Sequence, residues 1–158
     1  MPAQPPYGLL YPLSLTPAWW FGAGDAGMLL WARILNAGFG ALTVPVLAAF
    51  VRRLEGVDWR PALAAATAGA MMPALLLTGS IAWTERLLAL LVALAALTLA
   101  RVWERGTTGE AAIVIVVGAA MFAAHPRLGP PALVAIVLAA LAVRDLGWPR
   151  VASVLGAG

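Results

Sequence analysis

Long apolar runs divided by short connectors, with arginines gathered in every second connector, leave this chain few ways to fold. The connectors 52–60 (RRLEGVDWR), 101–110 (RVWERGTTGE) and 144–150 (RDLGWPR) hold three, two and two arginines. Those between them, 78–86 and 125–131, hold one each. Basic residues are retained on the cytoplasmic side during membrane insertion. The first set is therefore predicted to face the cytoplasm, and the second set, with the N-terminal tail, the exterior. The expected fold is an all-α, polytopic transmembrane helix bundle in the cell membrane, with an extracytoplasmic N-terminus and one membrane domain over residues 1–158.

Composition agrees. The chain is 63% hydrophobic and only 11% charged, whereas soluble domains are about half apolar and a quarter charged. The net charge of +3 would suggest nucleic acid in a soluble chain, but these arginines flank membrane spans, so no nucleic-acid partner is expected. Cysteine is absent, which excludes disulfides and thiolate metal sites. All ten basic residues are arginine. That removes a P-loop lysine and Schiff-base chemistry. One histidine cannot build a multi-histidine metal site. The proline-broken start, without a basic leading region, does not read as a cleavable signal peptide.

Residues 1–27 carry Pro5, Pro6, Pro12 and Pro17 beside Tyr7, Tyr11, Trp19 and Trp20. Prolines at this spacing discourage a continuous spanning helix, and tyrosine and tryptophan favour the headgroup level. The segment reads as interfacial or re-entrant on the outer face. About five spans follow, at 28–51, 61–77, 85–100, 111–124 and 131–143, with 151–158 as the opening of a further one. Asp58 is a plausible N-cap for the second span, Pro73 a kink in it, and Thr84 or Ser80 a cap for the third. Arg33 and Asn36, three residues apart, are expected on one face of the first span. The pairs Asn36/Gly40 and Ala37/Ala41 would let helices approach closely.

The varied polar groups fall on the outer side: Asp25, Arg33, Glu85, Arg86, His125 and Arg127, with hydroxyls nearby. Any site is expected to open there. Ionised groups at or inside a span are costly, which marks Arg33, Glu85 and Arg86. Glu85 has an equal competing explanation, a carboxylate favoured by the helix dipole. His125, after the fourth span, reads more readily as a capping group than as a catalyst. Arg33 suits a partner in Asp25 or Glu85, or a lipid headgroup. The match of Gly22-Ala-Gly24-Asp-Ala-Gly27 to G-x-G-x-x-G lacks the preceding strand and the acid some 20 residues on, so it reads as a flexible turn. The residues assign no metal site and no resident cofactor; two or three outer acids are the only ligands open to a divalent ion.

The phrases PPYGLLYPLSLTPAWWFGAGDAG and WARILNAGFGALTVPVLAAFVRRLEG resemble the membrane core of GT-C class glycosyltransferases. So do TGSIAWTERLLALLVALAALTLARVWERG and AAIVIVVGAAMFAAHPRLGPPALV, and the likeness covers roughly residues 7–143. The resemblance implies transfer of a sugar from a polyprenyl-phosphate donor to an acceptor on the extracytoplasmic face. The partners it implies are membrane lipid and the lipid-linked sugar. It implies a carboxylate that takes a proton from the acceptor and arginines that hold the lipid phosphate. By position, Arg33, Glu85, Arg86, His125, Arg127 and Asp25 are the binding candidates. The family's main catalytic carboxylate follows a span that would precede this chain, so no catalytic residue is assigned. The chain is expected to be a fragment, a split product or a small relative needing an N-terminal portion or partner chain, and inactive alone. The competing readings are a non-catalytic membrane scaffold and a small transporter-like subunit.

Overall fold

The computed structural model describes residues 8–71 and 84–155, with side chains described as far as residue 143. Every regular element among them is helical: α1 (Leu10–Trp20), α2 (Asp25–Glu55), α3 (Trp59–Ala70), α4 (Glu85–Arg105), α5 (Thr108–Ala124), a 3-10 turn (Pro126–Leu128) and α6 (Gly129–Leu155). Three stretches are long and apolar enough to cross a membrane: Asp25–Glu55, Glu85–Arg105 and Pro126–Val143. α5, at 17 residues, is equally apolar but shorter. Of the span expected at 61–77, residues 72–77 lie outside the described residues, as do Pro73 and Ser80.

The helices outrun the expected spans, because a charged residue ends a membrane crossing without ending a helix. α2 starts three residues early, with Asp25 in its first turn, where the helix dipole favours an acid. It continues through Arg52 and Arg53 to Gly56, which stops it at a left-handed φ of 63°. α4 likewise runs through Arg101 and Arg105 to Gly106 at φ 61°. Residues 144–150, expected as a connector, are helical: α6 passes through them to Leu155. About 20 helical residues cross the hydrocarbon, so α6 reaches its charges as it leaves the apolar layer.

In the N-terminal segment the structure forms an 11-residue helix despite two prolines. Pro12 lies in the first turn, where its missing N–H has no partner to lose, while Pro17 lies inside the helix. At 1.5 Å per residue α1 is about 16 Å long, too short to span. Asp58 occupies the N-cap position of α3, and Thr84 that of α4, but neither side chain makes a capping bond. Thr107 does: its hydroxyl accepts from the Glu110 N–H at 3.3 Å. The signal, Thr-x-x-Glu before an apolar run, stands plainly in the sequence.

α4 is the hub. It packs against α2 on one side and α5 and α6 on the other, while α3 leans on α2 and α1 bridges α2 and α5. Leu87, Leu91, Met121 and Ala124 share one core with Tyr11, and Val102, Val114, Ala135 and Ala139 form a second. Ala48, Ala62 and Ala66 join α2 to α3. Small residues thus dominate the contacts, while large ones such as Val116, Phe122 and Leu133 face outward. A water-soluble bundle hides its large side chains; helices in lipid gain more from close backbone approach. On α2 the interface stripe is Ala32, Asn36, Gly40, Thr43 and Ala48. The Asn36/Gly40 pair lies in it, but Ala37 and Ala41 are exposed.

Candidate functional site

The ends of the bundle differ in how their charges are matched. At the end where α2 and α4 finish, Arg53 donates to Glu104, Arg105 donates to Glu110 at 3.1 Å, and Arg52 stacks 4.9 Å from the centre of the Trp59 ring. There two acids pair with arginines and tie helix ends together, although Arg101 Nε and Glu110 Oε2 are also shut from solvent without a partner among the described residues. This pairing also fixes α2 and α4 as parallel.

At the start of α4 the matching fails. Glu85 and Arg86 are both half-buried, yet Glu85 Oε2 and Arg86 Nε are shut from solvent with no hydrogen-bond partner among the described residues. Arg86 lies across α2 at Gly40: a Cβ there would stand 2.6 Å from Nη1 and 3.4 Å from Cζ. Glycine is what makes room for the guanidinium. One turn away Asn36 is 1% exposed. From α1, Tyr11 closes the group: its hydroxyl faces the Asn36 amide and lies within electrostatic reach of Glu85. The phenol and the amide do not reach standard hydrogen-bond geometry, since the hydroxyl is buried without a formed bond. α1 is held there by Trp31 Nε1, which donates to the Ser14 carbonyl at 3.1 Å, and by Gly8 packed against the Ala124 carbonyl.

A buried phenol, an amide, a carboxylate and a guanidinium thus converge from three helices. An isolated buried charge is costly unless paired, so this arrangement suits a ligand with both anionic and hydroxyl groups.

Burial pushes the Tyr11 phenol above its ordinary value; the Asn36 side chain draws it down, and the Glu85 charge raises it further. The unfolded chain therefore loses this proton first. The contribution of Tyr11 to packing is complete below pH ~10 and is lost as pH rises through the higher folded value. With Tyr7 replaced by phenylalanine, phenolate absorbance is expected to appear above that pH together with loss of packing around α1, and Tyr11→Phe is expected to abolish both. Titration at the ordinary value would show that the phenol is not enclosed.

Of the six sequence candidates, Glu85 and Arg86 stand in this group. Arg33 does not: it is exposed while Asn36 is buried. Three residues turn a helix by about 300°, leaving the two side chains about 60° apart, enough here to separate lipid-facing from core-facing. Asp25 is exposed at the start of α2, some 22 Å along the helix from Gly40, and does not join the group. His125 caps α5; its Nδ1 accepts the Arg127 backbone N–H at 3.1 Å. Arg127 itself is exposed. Among the described residues no three metal-ligating side chains come together. Tyr11 and Asn36 were not among the sequence candidates. An amide one turn from a glycine inside an apolar helix was the available signal for Asn36; Tyr11 had none, because its role depends on where α1 docks.

Compared with protein-family models, with curated proteins and with solved structures, the chain matches none.

Proposed function

We propose that this is a five-crossing membrane protein whose Glu85–Arg86 group binds the phosphate–sugar end of a polyprenyl-phosphate sugar, as part of a GT-C type glycosyltransferase. Chain direction supports five crossings. α2 and α4 run the same way, tied at their ends by Arg53 and Glu104, which favours a crossing between them. The shared cores run α5 antiparallel to α4 and α6 parallel to it, which favours a second return, through α5. The arginine-rich end faces the cytoplasm by the retention of basic residues, which puts Glu85, Arg86 and α1 on the exterior. From Arg86 to Glu104 is about 27 Å along α4, close to the ~30 Å of hydrocarbon. On α4 the group then lies at the outer margin, while on α2 Gly40 stands about 18 Å from Arg52, so the guanidinium reaches inward from that margin toward the middle of the span.

The observation that carries this reading is the Arg86 guanidinium lodged on Gly40 beside Glu85, with buried polar atoms of both lacking partners. Arg86 would hold the phosphate through charge-assisted hydrogen bonds. Glu85 would accept a proton from an acceptor hydroxyl or orient it, and Tyr11 and Asn36 would bond the sugar. Binding of a polyprenyl-phosphate sugar to the purified chain, compared between wild type and Arg86→Met, tests it. Equal binding would overturn the assignment.

A further inference from the structure

A groove of about 470 Å³ runs between α2 and α4 toward their arginine-rich end. Its walls are Phe50 and Leu54 on α2 and Leu99 and Trp103 on α4; Ala96 and Ala100 form the floor. Arg53 and Glu104 close it where the helices end. The two alanines, one turn apart, create the space, since larger side chains would fill it.

We propose that this groove holds an acyl chain of an anionic phospholipid, with its phosphate on the guanidiniums of Arg52 and Arg53. The proposal rests on α2 and α4 being membrane helices, and not on the Glu85–Arg86 group. Apolar walls offer water no partners at this depth, whereas a hydrocarbon chain fits them. From Ala96 to Glu104 is about 12 Å along the helix, nearly one leaflet of a ~30 Å layer. The groove therefore runs from near the midplane to headgroup level. At that level Trp103 is 63% exposed, as suits an indole at the interface. Arg53 spends one nitrogen on Glu104 and a guanidinium has five N–H donors. Arg52 beside it is exposed over Trp59. At this end of the helices Arg52, Arg53, Arg60, Arg101 and Arg105 stand against Glu55, Asp58, Glu104 and Glu110, so one positive charge is left in excess. That sign selects an anionic headgroup over a zwitterionic one.

The test is native mass spectrometry of the full chain released from nanodiscs of equimolar phosphatidylglycerol and phosphatidylcholine. Wild type is expected to retain phosphatidylglycerol about tenfold more than phosphatidylcholine. Ala100→Phe, which fills the groove, is expected to lose both adducts with helix content by circular dichroism unchanged. The double variant Arg52→Gln, Arg53→Gln is expected to keep an adduct but lose the preference. Undiminished phosphatidylglycerol on Ala100→Phe, no preference in wild type, or a dimer that Ala100→Phe dissociates would each overturn the proposal.

Discussion

Gly40→Leu is expected to separate α2 from α4 and lower stability by about 2–3 kcal/mol, the upper part of the range for overpacking. The reason lies in what occupies the place of the missing side chain. A Cβ at position 40 would meet Nη1 of Arg86 at 2.6 Å and Cζ at 3.4 Å. Alanine there displaces only the end of a flexible side chain, so Gly40→Ala is expected to cost little stability while moving the guanidinium. Leucine extends into the whole length of Arg86 and into the buried stripe of α2. Gly38 supplies the control: a Cβ there meets nothing within 4 Å, so Gly38→Leu is expected to leave packing intact. Unfolding in mixed micelles with increasing dodecyl sulfate measures each variant. Equal loss at positions 38 and 40 would mean that helix propensity, and not the close approach, decides.

Arg86→Met is expected to weaken binding of a polyprenyl-phosphate headgroup by roughly 10- to 100-fold, the loss of a hydrogen bond to a charged group at about 1.5–3 kcal/mol. Methionine keeps most of the stem that covers Gly40, so folding is expected to hold. Glu85→Gln tests the neighbouring role. It retains a group that can bond an acceptor hydroxyl but cannot take its proton, so binding is expected to persist. Arg33→Met removes an exposed arginine outside the group and is expected to change headgroup affinity little. Losses of similar size at positions 33 and 86 would point to general attraction of phosphate by surface charge, with no role for the enclosed group.

Three helices long and apolar enough to cross, of the five spans expected, were legible in the sequence because lipid imposes one simple demand: an apolar stretch long enough to cross, with arginines at its ends. Helix ends were less legible. The charges at Arg52, Arg101 and Arg144 mark where a helix leaves the apolar layer, whereas Gly56 and Gly106, at left-handed φ, mark where two helices stop. The site was legible in half. Glu85 and Arg86 stood out because ionised groups near a span are costly. Arg33 stood out for the same reason, and Asp25 and Arg127 for their place on the outer side, but all three are exposed, and local sequence does not say whether a charge turns toward lipid, water or a neighbouring helix. Tyr11 joins Glu85 from 74 residues away because α1 folds back across α2 and α5, a docking that no local pattern encodes. Asn36 read as a packing residue and is one; its place beside Tyr11 follows from the same docking.

Because the chain has no cysteine, single cysteines report sidedness without background. Phe21→Cys and Arg127→Cys lie in turns at the end bearing the Glu85–Arg86 group; Glu55→Cys and Gly109→Cys lie at the arginine-rich end. With a membrane-impermeant thiol reagent on intact cells, the first pair is expected to label at once and the second pair only after permeabilisation. Labelling of both pairs from outside, or of the second pair alone, would contradict the exterior placement of the group and the five crossings together.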